Sequence, residues 1–205
     1  MDPYGEERAE YVRVMGSELG PLCHELQDDF GWLRHKWREF EELFGKGGER
    51  VELLNSVASN FFYFLNKVFF EDAILHLCRL TDPPRSAGRD TLSILSLVDL
   101  ISDATLKACV KTKAELAQNS CGFAREWRNQ KLAHTDLWTL RNGRASTLQS
   151  VTAKDIENAI KSIRDVLNSV EDHYSRPHSI PGPDPWGSKS LIHYLERSVR
   201  REKIE

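Results

Sequence analysis

The chain has 205 residues, 40% of them hydrophobic and 29% charged, enough for one sizeable core, and 31 acidic against 28 basic side chains leave a net charge of −3. That balance excludes nucleic-acid binding by bulk charge alone. There is no basic head with a following apolar run near Met1 and no apolar stretch of membrane-spanning length, so the expectation is a soluble, cytoplasmic protein without an export signal or membrane partner.

In chain order, residues 6 to 19 have a helical pattern, and Gly20-Pro21 reads as a stop and restart. From there Leu22, Leu26, Phe30, Leu33, Trp37, Phe40 and Phe44 step by three or four, the stripe of a packed helix that Gly45-Lys46-Gly47-Gly48 ends. His24, Asp28 and His35 share one side of it; a solvated face explains them better than a metal site. A second helix over Glu49 to Leu80 carries Leu54, Val57, Phe61, Leu65 and Val68 as its core stripe. Phe62, Tyr63, Phe64, Phe69 and Phe70 crowd its other sides, so it must be covered nearly all round, by neighbouring helices and a partner subunit or by burial inside the bundle. Asp82-Pro83-Pro84 terminates it, Arg85 to Thr91 is a polar loop, and Leu92 to Ile101 is a short helix begun by Asp90, Thr91 or Ser93.

A long helix is predicted from Ala104 to Leu137, with Leu106, Val110, Ala114, Ala117, Cys121 and Ala124 as a seam of mostly small residues. Arg141-Asn142-Gly143-Arg144 is a turn signal, and Thr152 with Asp155 is a capping box. The helix after it carries Ile156, Ile160, Ile163, Leu167, Val170 and Tyr174. The prolines of 176–187 make a semi-stiff linker, and Leu191, Leu195 and Val199 form a short amphipathic helix that docks on the body or on a second subunit. The fold class is therefore all-α, an up-and-down bundle over 1–175 with a core from about 17 to 175, the linker at 176–187, and a C-terminal helix at 188–205. Cys23, Cys78, Cys109 and Cys121 lack Cys-x-x-Cys spacing, which argues against disulfides and zinc. No phosphate loop, nucleophile elbow or zinc-protease motif is present, and no cofactor or metal is called for.

One stretch remains to be explained, Ala124-Arg125-Glu126-Trp127-Arg128-Asn129-Gln130-Lys131-Leu132-Ala133-His134-Thr135-Asp136. On a regular helix Arg128 and His134 are about 9 Å apart along the axis and roughly 120° around it. The heptad runs put Arg128 on the packing side, and His134 under Trp127 and beside Trp138. An inward guanidinium needs a carboxylate, a carbonyl or an anionic ligand. Arg125, Arg128, Lys131, Arg141 and Arg144 outnumber Glu126 and Asp136, which makes this the electropositive end. A second basic run, Arg197, Arg200, Arg201 and Lys203, reads first as a solvated face.

Arg128-Asn129 followed after four residues by His134 resembles the signature of the HEPN superfamily (higher eukaryote and prokaryote nucleotide-binding). Leu19-Gly20-Pro21, Lys36-Trp37, Leu43-Phe44-Gly45, Leu53-Leu54-Asn55, Phe61-Phe62, Arg79-Leu80-Thr81-Asp82-Pro83 and Leu132-Ala133-His134 together resemble its AbiU-type branch, named for phage abortive infection. The resemblance implies a homodimer that cuts RNA at its interface without metal or cofactor, using Arg and His of both subunits and leaving a cyclic phosphate. Members modified by a nucleotidyltransferase carry tyrosine two residues after the histidine. Asp136 stands there in this chain, which puts that regulation in doubt, while a neutralising partner protein is still allowed for.

The residue types suit that chemistry. Histidine exchanges protons near neutral pH, a guanidinium stabilises the charge gathering on a phosphorane-like transition state, and Asn129 can orient the phosphate or hold His134. Asp136 is placed to orient His134 or to pair with Lys131 or Arg128; the sequence does not choose. Three readings follow: catalytic Arg128, Asn129 and His134, supported by Arg125, Lys131 and Asp136; a non-catalytic dimer binding nucleotide or RNA as a sensor or adaptor; or a helical scaffold with Arg128 in an internal salt bridge.

Overall fold

The computed structural model describes residues 3–86, 88–132, 150–177 and 187–202. Among them the chain is helical almost throughout: α1 (Pro3–Met15), α2 (Leu19–Phe44), α3 (Gly48–Thr81), α4 (Leu97–Leu100), α5 (Ala104–Ser120), α6 (Gly122–Trp127), α7 (Ala153–His173) and α8 (Ser188–Glu202). The polar loop after α3 is a minimal hairpin of β1 (Arg85–Ser86) and β2 (Arg89–Asp90), with Arg85 opposite Asp90 and Gly88 at φ +78°. The fold is all-α and of the helical-bundle type, as the periodicity predicts. Two compact units divide the chain, Met1–Gly31 with Ile74–Ser179 and Trp32–Ala73 with Ile180–Glu205, so α2 and α3 each contribute to both.

In the first unit the chain turns between α1 and α2 at Gly16, whose φ of +89° suits a residue without a side chain. The predicted break at Gly20-Pro21 is corrected by one turn: both lie in the first turn of α2, where proline's missing N–H costs nothing. Gly20 has another task. A Cβ there would stand 2.5 Å from the Tyr11 carbonyl oxygen, so the bare backbone lets α2 start against α1. His24 does not lie on a solvated face. It is buried between the rings of Tyr4 and Tyr11, at centroid distances of 4.6 and 5.4 Å. Tyr11 also donates to Glu171 Oε1 at 2.7 Å, and Arg176 lies over its ring. Burial and that carboxylate push the phenol far above its ordinary range.

Asp103 caps α5, accepting from Leu106 N at 2.7 Å, and the small seam Val110, Ala114 and Ala117 is fully buried. Small residues bring α5 close to α7, where Ser120 and Ser162 hydroxyls meet at 2.6 Å and Lys113 reaches Ser169 Oγ at 2.6 Å. The capping box is reciprocal: Asp155 N donates to Thr152 Oγ1 and Thr152 N to Asp155 Oδ2, at 3.2 and 2.8 Å. Its inward stripe, Ile156, Ile160, Ile163, Leu167 and Val170, is buried as predicted, while Tyr174 is the half-buried C-cap. The short helix before α5 resolves into a 3-10 turn and α4, begun by Ser93.

The second unit is built on Leu43, Leu54, Phe62 and Ile192, with Leu65, Phe69 and Leu195 packed on them. Its α3 stripe differs from the predicted one. Leu54 and Phe62 are buried, whereas Val57, Phe61 and Val68 are exposed. The helix kinks at Ala58 (φ −157°, ψ 69°), which shifts the phase of everything after it. The amphipathic α8 packs here through Leu195, as expected, and through Ile192 in place of Leu191, which is exposed. Glu39 holds its start by accepting from Ser188 N at 2.5 Å and from the Ser188 hydroxyl.

Candidate active site

The Arg128 segment is positioned by α5 and the elements after it. The predicted single helix to Leu137 is broken at Cys121 (φ −92°, ψ 8°), where α5 gives way to the short α6. From Arg128 to Leu132 the chain continues as a π-turn. Insertions of this kind into helical chain recur at functional sites. Over Arg128–Leu132 the regular-helix spacing therefore does not hold, since a π-turn advances fewer degrees per residue. His134, Asp136, Trp138, Arg141 and Arg144 lie outside the described residues.

Arg128 Nη1 donates to Asp82 Oδ2 at 2.7 Å, and Nε donates to Asn129 Oδ1 at 3.4 Å. The two charged side chains of that pair are 29% and 24% exposed, so the guanidinium is anchored at one edge and still reachable from solvent. Asn129 is exposed and touches Arg128, which gives the amide a place beside the guanidinium. Lys131 is exposed and lies over the Trp127 ring, 4.4 Å from its centroid.

Arg125 has a different job. Its Nη1 donates to Thr81 Oγ1 at 3.1 Å and its Nη2 to the Gln118 carbonyl, while Thr81 is itself fully buried and donates to Leu77 O at 2.6 Å. Arg125 thus ties α6 to the end of α3 and is a structural support. The Ser93 hydroxyl donates to Asp82 O at 2.6 Å and fixes the same corner.

Thr81 and Asp82 hold the guanidiniums of Arg125 and Arg128, which helix pattern does not reveal: it reads Asp82 only as a helix stop. Asp82 is the carboxylate that the inward Arg128 needed, and the one sequence signal for it was its place in Arg79-Leu80-Thr81-Asp82-Pro83. Two thiols lie near. Burial pushes Cys78 up to about 11, with Arg128 pulling it down and Asp82 up, and burial also raises Cys121. Both are protonated at neutral pH, so neither supplies a thiolate nucleophile. Among the described residues no three His, Cys, Asp or Glu side chains gather as a metal would require, and no helix is long and apolar enough to cross a membrane.

The chain is an all-α bundle in which the Arg128-Asn129 segment meets Asp82 just after α3 and His134 follows in sequence, and the family match puts it in the HEPN class. Within that class the chain belongs to the AbiU2 family, whose model matches residues 16–191. The match takes in every element from α2 to the start of α8. No curated protein and no solved structure matches the chain.

Proposed function

We propose that this chain is a metal-independent endoribonuclease of the abortive-infection, toxin kind, a cytoplasmic homodimer used in phage defence. The observation that carries the reading is Arg128: a guanidinium held at one edge by Asp82, still 29% exposed, next to an exposed amide and six residues before His134. Family membership supports it.

In the reaction, His134 takes the proton of a ribose 2′-hydroxyl or returns one to the departing 5′-oxygen. The 2′-oxygen forms a bond to the adjacent phosphorus, the bond to the 5′-oxygen breaks, and a cyclic phosphate and a 5′-hydroxyl result. Arg128 stabilises the charge on the non-bridging oxygens, and Asn129 orients the phosphate. Two copies complete the cleft, each supplying Arg128 and His134; Asp136 and Lys131 stand in support.

Incubating purified protein with mixed RNA in excess EDTA, beside His134→Ala, tests this. Cleavage by the parent with cyclic-phosphate ends is expected, slowed about a hundredfold or more in the variant at unchanged helicity. An inert parent, with both proteins equally folded, would hand the site to the other reading, a non-catalytic HEPN dimer that binds nucleotide or an RNA end as a sensor or adaptor.

A further inference from the structure

The end of α3 carries two arginine–carboxylate pairs, and the proposed chemistry uses one of them, Arg128 with Asp82. In the other, Asp29 holds Arg79: Nε donates to Oδ2 at 3.0 Å, and Nη2 meets Oδ1 and the His76 ring. Residues three apart on a helical turn are surface neighbours. Asp82 follows Thr81 directly, so Arg79 and the carboxylate that holds Arg128 stand side by side. All four residues belong to one compact unit.

The two guanidiniums are held alike. Each meets a carboxylate along one edge and keeps a terminal nitrogen, Nη1 of Arg79 and Nη2 of Arg128, without a partner among the described residues. Asp29 takes the inner edge of the Arg79 fork and is 17% exposed, whereas Arg79 is 53% exposed. The outer edge is thus presented to solvent in a fixed direction, as a planar guanidinium allows and a flexible ammonium does not. We infer that Arg79 contacts a phosphate flanking the one that Arg128 holds, so that the RNA strand crosses the end of α3. This rests on the reading of Arg128 as a phosphate contact.

Charge favours an RNA backbone as the occupant. The chain has a net charge of −3, so affinity for a strand must come from local contacts. The carboxylates of both pairs are mostly buried, and the guanidiniums dominate the outward side. The hairpin adds Arg85 and Arg89, both exposed, with Arg85 4.0 Å from Asp90. It leaves from the same corner, because the Ser93 hydroxyl donates to Asp82 O and Thr91 N to Pro84 O, at 2.6 and 2.9 Å.

The test uses the full chain with His134→Ala, which leaves the probe intact, and fluorescein-labelled single-stranded RNA of mixed sequence, followed by anisotropy over a salt series. Adding Arg79→Gln is expected to raise Kd about tenfold and to flatten the slope of log K against log salt by about 0.7. Arg79→Lys keeps the charge and should keep the slope. With His134 present, single-turnover cleavage by Arg79→Gln should lose in half-saturating concentration and hold its limiting rate within about twofold, since a flanking contact is made equally in ground and transition states. Without any substitution at 79, RNA should protect Arg79 from phenylglyoxal, read by peptide mass.

A merely structural arginine would lower Tm when replaced and leave the salt slope alone. Parent-like Kd and slope for Arg79→Gln, or an Arg79 that bound RNA leaves unprotected, overturns the inference and spares the ribonuclease reading. A chain that binds no RNA overturns both. RNA that is bound, protects Arg79 and is never cut by the parent overturns the ribonuclease reading alone.

Discussion

A guanidinium presents a flat fork of donors, and its usefulness to a phosphate depends on how the fork is held. In this chain Asp82 does the holding, with a single 2.7 Å bond to Nη1. The pair is about three-quarters buried on each side, more than a surface ion pair and less than an interior one. A coupling of about 1 kcal/mol in urea unfolding is therefore expected from the cycle Asp82→Ala, Arg128→Ala and the double variant. The kinetic expectation is larger for one partner than for the other. On the proposed reading, in which Asp82 positions the guanidinium and Arg128 contacts the phosphate, Asp82→Ala should slow single-turnover cleavage about tenfold and Arg128→Ala about a hundredfold or more. Equal losses from both, at the size of their stability effects, would mean a scaffold salt bridge and no phosphate contact.

At the scale of the element, helix ends are where local chemistry decides most. α7 closes with Ser175 in the left-handed region (φ 54°), while Ser175 N donates to Asp172 O at 3.1 Å and Arg176 N to Glu171 O at 2.9 Å, a Schellman ending without its usual glycine. Serine resists that conformation through its Cβ, so Ser175→Gly should stabilise the protein by about 0.5–1 kcal/mol in chemical denaturation, the gain reduced by the freer unfolded chain. Features of this local kind were legible beforehand: the Thr152-Asp155 box, the seam from Leu106 to Ala117 and the bounds of α3 follow from residues within a turn or two of each other. Others were not. The phase of α3 beyond Ala58 turns on a kink that no glycine or proline announces, so Phe61 and Val68, expected in the core, lie outside. The break at Cys121 did have a signal, Gly122, but the apolar seam continues through it to Ala124 and masks it. Asp82 was legible as a helix stop but not as the partner of Arg128, because 46 residues separate them and spacing says nothing about contacts that distant. The proposed trio of Arg128, Asn129 and His134 is legible as residues and not as geometry, since the chain from Arg128 to Leu132 is a π-turn and not the regular helix that the spacing assumes.

For the molecule as a whole, one response to acid follows from Asp29, a carboxylate enclosed by His76 and Arg79. Burial alone would raise its pKa, but hydrogen bonds from His76 and Arg79, and their charges, outweigh it and hold the carboxyl below its usual range. The geometry agrees: His76 Nε2 is 3.2 Å from Oδ1 and Arg79 Nε donates to Oδ2 at 3.0 Å, binding the first half of α2 to the last turns of α3 inside one unit. The sign follows from linkage. With the folded value depressed, the unfolded chain binds the proton first as pH falls, so stability is fully present above the unfolded carboxylate value of about 3.9 and is lost as pH drops through the folded one. Urea midpoints measured from neutrality to pH 3 should therefore fall steeply at the acid end for the parent. Asp29→Asn should start lower at neutral pH, having lost the charge-assisted bonds to His76 and Arg79, and then change less over the acid range. Parallel curves for the two proteins would show that acid acts through other carboxylates and that this cluster is held by packing alone.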